Sequence, residues 1–228
     1  ESAPGSRPYI RAAVEGSLTR LGIERIDLYQ QHTPDQVTPI DETIAALDEL
    51  VAEGKIAAYG HSNFDSDQIR AAADASPRLG VAPFVSAQNE YNLLARTVER
   101  AVLPACEEVG IGFLPFFPLA NGLFTGKFSR TERPADTRIS RQRPHIAEEA
   151  PWGAIEAFEA FASERGISML EATFGWFLGR PVVSSVIAGA TTPEQIRSNA
   201  AAGSGWRASA AELAEIGALF PLSEAGQD

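Results

Sequence analysis

The feature that most constrains this chain is a regular alternation of short β-branched or aromatic runs with helical patterns. The runs are "RIDLYQQ" near residue 25, "KIAAYG" near 55, "FVSAQ" near 84, "IGFLPFF" near 111 and "VVSSVIAG" near 182. Each is too short for a helix and is bounded by turn residues, so each is expected to form a strand. In "PIDETIAALDELVAEGK" the apolar Ile40, Ile44, Leu47 and Val51 share one helical face, and Gly54 supplies a left-handed stop. "RPYIRAAVEGSLTRLG" reads as a helix with Pro8 in its first turn. The first four strands begin about 30 residues apart, the length of a strand, a helix and their loops. Such alternation predicts an α/β fold with a parallel sheet.

After "IGFLPFF" the rhythm breaks. Residues 118–150 are rich in Gly, Pro, Arg and Ser and read as a long loop, a kind of segment that is commonly functional or disordered. Helical patterns resume over "WGAIEAFEAFASER", "SMLEATFGWFLG", "TPEQIRSNAAA" and "SAAELAEIGALF". Five strands do not close an eight-stranded barrel, and neither G-x-G-x-x-G nor G-x-x-x-x-G-K-[ST] is present to mark a doubly wound nucleotide fold. With 228 residues, 44% of them hydrophobic, one domain over 1–228 is expected.

A formal charge of -11 argues against nucleic acid or an anionic membrane as partner, since either needs a clustered positive field. The single cysteine, Cys106, excludes an internal disulfide framework and a cysteine-based zinc site, which suits a reducing cytoplasm. No apolar run has transmembrane length. His32, His61 and His145 lack close ligand spacing, so no metal site is expected.

The first three strands each run into a polar end: His32 after the first, then His61, Ser62 and Asn63, then Gln88, Asn89 and Glu90. Parallel α/β proteins gather their sites at these C-terminal strand ends. Turns favour Asn and Ser anyway, but three successive ends with neutral hydrogen-bonding groups point to an uncharged, planar ligand.

"IDLYQQHTPD", "EGKIAAYGHSNFDSDQI", "FVSAQNEYNLLAR", "LPFFPLANGLFTGKF" and "SSVIAGATTPEQIRSNAAA" together resemble, in order and spacing, the strand-end motifs of the aldo-keto reductases. The resemblance implies a (β/α)8 TIM barrel that binds NADPH, with NADH as the alternative, and reduces aldehyde or ketone carbonyls to alcohols. It implies that His32 hydrogen-bonds the substrate carbonyl in the active site. Ser62, Asn63 and Gln88 match the trio that holds the nicotinamide carboxamide, for which amide partners supply both donors and acceptors. Phe116 falls where an aromatic ring, usually tyrosine, stacks under the nicotinamide. Pro118, Leu119, Asn121 and Gly122 match the pyrophosphate loop, with Lys127 a charge partner. Gly189 and Thr191 fall near the 2′-phosphate and Asn199 near the adenine. Gln195 departs from the pattern, standing where many members carry Arg or Lys, and Ser198 stands where an acid is frequent; a neutral amide loses the charge-assisted contact that favours NADPH. His61 reads as structural, and Arg197 as a solvated helix residue.

The resemblance also implies that the family's proton-donor tyrosine and its lysine and aspartate partners lie before the helix that begins near Pro8. The chain, starting at Glu1, is therefore expected to be the C-terminal two-thirds of such a barrel, lacking the first three strand-helix units. Two functional expectations result: a carbonyl reductase as the complete protein, or a cofactor-binding regulatory subunit or inactive fragment without turnover. The 118–150 loop is expected over the cofactor and substrate face. Its Arg130, Arg133, Arg138, Arg141 and Arg143 make either a solvated face or a lid over the cofactor phosphates. Phe117, Phe124 and Trp206 are candidates for an apolar substrate pocket or for plain core.

Overall fold

The computed structural model describes residues 3–222, which cluster into two compact units. The first comprises the described part of Glu1–Asn89 together with Glu99–Phe113. Its centre is a parallel sheet of four strands, β1 (Ile26–Gln31), β2 (Ile56–Ser62), β3 (Ser86–Gln88) and β4 (Gly112–Phe113), hydrogen-bonded in the order β1-β2-β3-β4. The register sets Gln31 beside His61, Ser62 beside Gln88 and Ala87 beside Phe113. Helix α1 (Arg7–Leu21) precedes the sheet, and α2 (Ile40–Ala52), α3 (Ser66–Leu79) and α4 (Val102–Val109) make its crossovers.

Local sequence explains these elements. Asp41 and Glu42 place negative charge in the first turn of α2, where the helix dipole favours it. At its other end Gly54 takes φ 74° and the Lys55 N–H closes back on Leu50 O at 3.0 Å. Helix α3 opens with a capping box, in which the Asp65 carboxylate accepts the Gln68 N–H and the Gln68 side chain accepts the Asp65 N–H. The predicted face of α2 is the one that packs: Ile44 and Leu47 join Val14, Leu50, Ile56 and Tyr59, all fully or almost fully buried. Each large aliphatic side chain so buried contributes about 1.5–3 kcal/mol.

The second unit comprises Glu90–Val98 and the described part of Leu114–Asp228. After a 3₁₀ turn at Ala120–Thr125 come α5 (Arg138–Gln142), α6 (Pro144–Glu148), α7 (Trp152–Glu164), α8 (Met169–Leu178), α9 (Pro193–Ser204) and α10 (Ala210–Leu219). The last four form where the spacing predicts them. Phe124, Phe158 and Phe220 meet edge to face around the α7 side of this core, with centroids 5.6 to 6.0 Å apart. The Arg96 guanidinium donates to Gly217 O and Phe220 O, satisfying carbonyls at the end of α10. Trp206 lies against the backbone of α8, leaving no room for a side chain on Gly175.

Two sequence expectations are overturned. Among the described residues there is no eight-stranded barrel, whole or short of three units, but an α/β arrangement on a four-stranded parallel sheet. The strands are not the later members of a series whose opening is lacking: all four lie in the first half of the chain, and beyond residue 120 the regular elements are helices. "VVSSVIAG" forms no named strand; Ile187 makes one isolated parallel bridge to Phe116. The reason is chemical. On the facing segment Pro115 stands just before the bridging Phe116 and Pro118 two residues after it, and a proline has no N–H to extend a ladder. The stretch 118–150 holds the 3₁₀ turn, α5 and α6. No described helix is long and apolar enough to cross a membrane.

Gly60 and Gly153 make opposite predictions. A Cβ on Gly60 would stand 2.2 Å from Ser86 Oγ and 2.9 Å from Ser86 O, whereas one on Gly153 meets nothing within 4 Å. Gly60→Ala should lower stability by about 1–3 kcal/mol through overpacking. Gly153→Ala, inside α7, should raise it by about 0.5–1 kcal/mol. Urea midpoints of the two variants check both.

Candidate functional site

In the first unit the ends of β1, β2 and β3 are knotted together. Gln88 O accepts two hydrogen bonds, from Ser62 Oγ at 2.7 Å and from the Asn63 N–H at 2.9 Å. The Asn63 amide then donates to Ser62 Oγ at 3.1 Å and to His32 O at 2.9 Å. Asn63 adopts φ 61°, a left-handed conformation that asparagine tolerates better than other non-glycine residues. The turn is gripped on its far side by the capping box of α3. His32, Ser62, Asn63 and Gln88, expected to act together, are thus brought together here. Ser62 is buried, Gln88 half-buried and His32 exposed. The Gln88 side chain makes no hydrogen bond among the described residues.

Asp35 shapes the segment after His32 and was not among the expected site residues. Its carboxylate accepts from the Gly5 N–H, the Val37 N–H and the Thr38 hydroxyl at 2.7 to 2.9 Å. The Thr38 hydroxyl first, then the Val37 N–H, hold this carboxyl below the usual carboxylate range. The signal was in the sequence, since an Asp after Pro in "TPD" is a turn former. Asn89 is the second omission: its Nδ2 donates to Phe64 O at 3.1 Å, while its Oδ1 is buried without a donor among the described residues.

His61 is structural in its surroundings. It is 1% exposed, stacks on Phe64 at 4.4 Å and meets Phe84 edge-on at 5.1 Å. Neither ring nitrogen has a partner among the described residues. Burial drives the imidazole down to about 4.

In the second unit the remaining expected residues form two groups. Phe116 bridges in parallel to Glu90 and to Ile187. The Tyr91 N–H donates to Phe116 O at 3.2 Å and the Ile187 N–H to Pro115 O at 3.1 Å. Beyond it the backbone curls: Phe117, Ala120, Asn121 and Gly122 have φ of 52°, 44°, 61° and 109°. Ala120, Asn121 and Gly122 are left-handed in succession, and the N–H groups of Ala120 and Gly122 close on Phe117 O at 3.0 Å and on Leu119 O at 2.8 Å. Pro118 and Leu119 are buried in this curl, and Asn121 Oδ1 is buried with no donor among the described residues. Lys127, further along, is exposed.

The second group surrounds the start of α9. Gln195 Oε1 accepts from the Thr191 N–H at 2.7 Å and the Thr191 hydroxyl at 3.1 Å, Thr192 caps the helix, and Asn199 Nδ2 reaches Gly189 O at 3.4 Å. A cavity of about 300 Å³ lies alongside, lined by Phe174, Leu178, Val186, Ala188, Asn199 and Arg207 among others. Of the pocket candidates, Phe124 is fully buried core and Trp206 is packed on Gly175, while Phe117 is exposed. In the basic stretch Arg130 forks onto Glu156 at 3.0 and 3.1 Å and Arg141 pairs with Asp136. Those contacts favour a solvated face over a lid. No group of three His, Cys, Asp or Glu among the described residues could hold a metal ion.

The model of the Aldo/keto reductase family matches residues 1–220. The chain is 34% identical over 200 residues to a probable voltage-gated potassium channel subunit beta of Oryza sativa subsp. japonica, covering 85% of the chain and 61% of that protein. It is 33% identical over 220 residues to the L-glyceraldehyde 3-phosphate reductase of Escherichia coli (strain K12), covering 93% and 63%. To the NADH-specific methylglyoxal reductase of the same strain it is 35% identical over 199 residues, covering 85% and 59%. The chain therefore spans about six tenths of the length of these curated relatives.

His61 sets a pH dependence. The unfolded imidazole takes its proton near 6.5 and the folded one holds out to about 4, so between these values the unfolded state binds more protons and stability falls as pH drops. From pH 7 to pH 5 this group alone should remove about 2 kcal/mol. His61→Phe should flatten that slope in urea titrations at the two pH values.

Proposed function

The chain belongs to the aldo/keto reductase family, and from that premise we propose that the complete protein is an NAD(P)H-dependent oxidoreductase reducing aldehyde or ketone carbonyls to alcohols. The observation that carries the reading is the knot at Gln88 O, which gathers the Ser62 hydroxyl, the Asn63 amide and the Gln88 backbone at three adjacent strand ends. A nicotinamide carboxamide has one oxygen acceptor and two N–H donors, and Ser62, Asn63 and the Gln88 side chain are complementary to it. When bound, the dinucleotide supplies a hydride to the carbonyl carbon.

This chain's own residues do the rest of what we assign. His32 hydrogen-bonds the carbonyl oxygen and stabilises the negative charge that grows on it. Phe116 offers a stacking face without a hydroxyl. Pro118, Leu119, Asn121 and Gly122 in the curl take the pyrophosphate, with Lys127 as a screened charge partner, and Gly189, Thr191, Gln195 and Asn199 take the adenosine half. NADPH is the cofactor form that the family resemblance suggests, while one relative is by name NADH-specific.

A second reading rests on the similarity to probable potassium channel β subunits: a cofactor-binding regulatory subunit without turnover. Saturable NAD(P)H binding with no oxidation of it by any of a panel of aldehydes would select that reading. For the reductase, His32→Ala in the complete protein should lower kcat/KM for carbonyl reduction by roughly 100-fold or more. An undiminished rate would remove His32 from the chemistry. Asn63→Ala should weaken cofactor binding by roughly tenfold, measured by calorimetric titration.

A further inference from the structure

Resting on the reading just given, we propose that Asn92 is a positioning residue for the nicotinamide platform: it locks the left-handed backbone of Phe117 and so holds the Phe116 ring in its stacking pose. Asn92 is 3% exposed and joins two segments of the second unit. Its Oδ1 accepts the Leu94 N–H at 2.9 Å and the Ala95 N–H at 3.0 Å. Its backbone exchanges hydrogen bonds with Ala95 at 3.0 and 3.1 Å, which ties residues 92–95 into one tight turn. With the oxygen anchored there, Nδ2 donates to Phe117 O at 3.2 Å, a link across 25 residues. A buried amide engaged at both ends has one rotamer and one orientation, and it carries the position of the turn to the other segment.

Phe117 needs such a link. A bulky aromatic residue at φ 52° is strained, and a conformation of that kind persists only where its surroundings over-determine it. Phe117 O accepts the Ala120 N–H at 3.0 Å as well as the Asn92 amide. The first bond lies within the curl and moves with it; the second ties the curl to a different segment. The consequence falls on the preceding residue. Phe116 O accepts the Tyr91 N–H at 3.2 Å, and the Phe116 ring meets the Phe117 ring edge to face at 5.3 Å. Two successive residues of one segment, Tyr91 and Asn92, therefore grip two successive carbonyls of the other, Phe116 O and Phe117 O, and the peptide between the two rings is locked. Without the Asn92 donor, Phe117 relaxes toward negative φ and carries the Phe116 face with it.

Asn92→Asp keeps an acceptor for the two N–H groups of the turn and removes the donor to Phe117 O. In the complete protein this variant should bind NADH or NADPH, whichever the parent binds more tightly, about tenfold more weakly in calorimetric titration. The matching ADP-ribose, which lacks the nicotinamide, should bind within about twofold of its parent affinity. In a Phe116→Leu background, itself weakened toward the nicotinamide cofactor, the same substitution should add nothing, because the ring it positions is gone. Asn92→Ser keeps a turn-forming hydroxyl but is too short to reach Phe117 O, so it should behave alike and serves as the second variant; melting curves establish that each folds. Equal weakening of both ligands, weakening of neither, or a full further loss in the Phe116→Leu background overturns the proposal, as does failure of both Asn92 variants to fold. Those outcomes leave the cofactor reading intact, whereas a parent protein that binds neither nucleotide overturns that reading and this inference with it.

Discussion

One carbonyl oxygen organises the polar end of the sheet. In a parallel ladder the hydrogen bonds stop with the strands, and the groups just past the last pair must find partners elsewhere. Ser62 and Gln88 are that last pair between β2 and β3. Gln88 O extends the ladder by one residue, accepting the Asn63 N–H as well as the Ser62 hydroxyl. Because Asn63 is thereby held left-handed, its side chain can turn back to His32 O and tie in β1. The positions of His32, Ser62 and Gln88 in this unit all derive from the two lone pairs of one backbone oxygen.

The environment of that knot differs sharply on its two sides. His61, one residue before Ser62, is enclosed by Phe64, Phe84 and the sheet, and its charge is suppressed by burial. Ser62 and Asn63 are surrounded by acceptors and donors. Adjacent residues on a strand point to opposite faces, so a single step of the chain passes from an apolar layer to a hydrogen-bonding one. An imidazole without partners in the apolar layer is tolerated because it remains neutral, with its ring acting as an aromatic spacer.

Helices were the legible part of this sequence, since their signals are local: the face of Ile44 and Leu47, the Asp65 cap and the Gly54 stop each act within a few residues. Strand starts at Ile26 and Ile56 were legible for the same reason. What could not be read was how many strands a sheet would hold. "VVSSVIAG" has the β-branched residues of a strand, but a strand exists only through a neighbour, and the neighbouring segment is broken by Pro115 and Pro118. The expectation of a barrel lacking its opening came from the resemblance of the strand-end motifs and not from the alternation, and similar motifs do not fix how many strands pair. In the site, the residue types at the strand ends were legible, whereas the roles of Asp35 and Asn89 depend on backbone groups distant in sequence, Gly5 and Phe64.

The curl after Phe116 has a thermodynamic consequence of its own. Phe117, Ala120 and Asn121 occupy left-handed backbone conformations that cost of order 1 kcal/mol or more each outside glycine. Glycines there would relieve that strain but would give the loop many shapes when free. With side chains in place, the loop has fewer alternatives to explore. Stability has been traded for one well-defined shape.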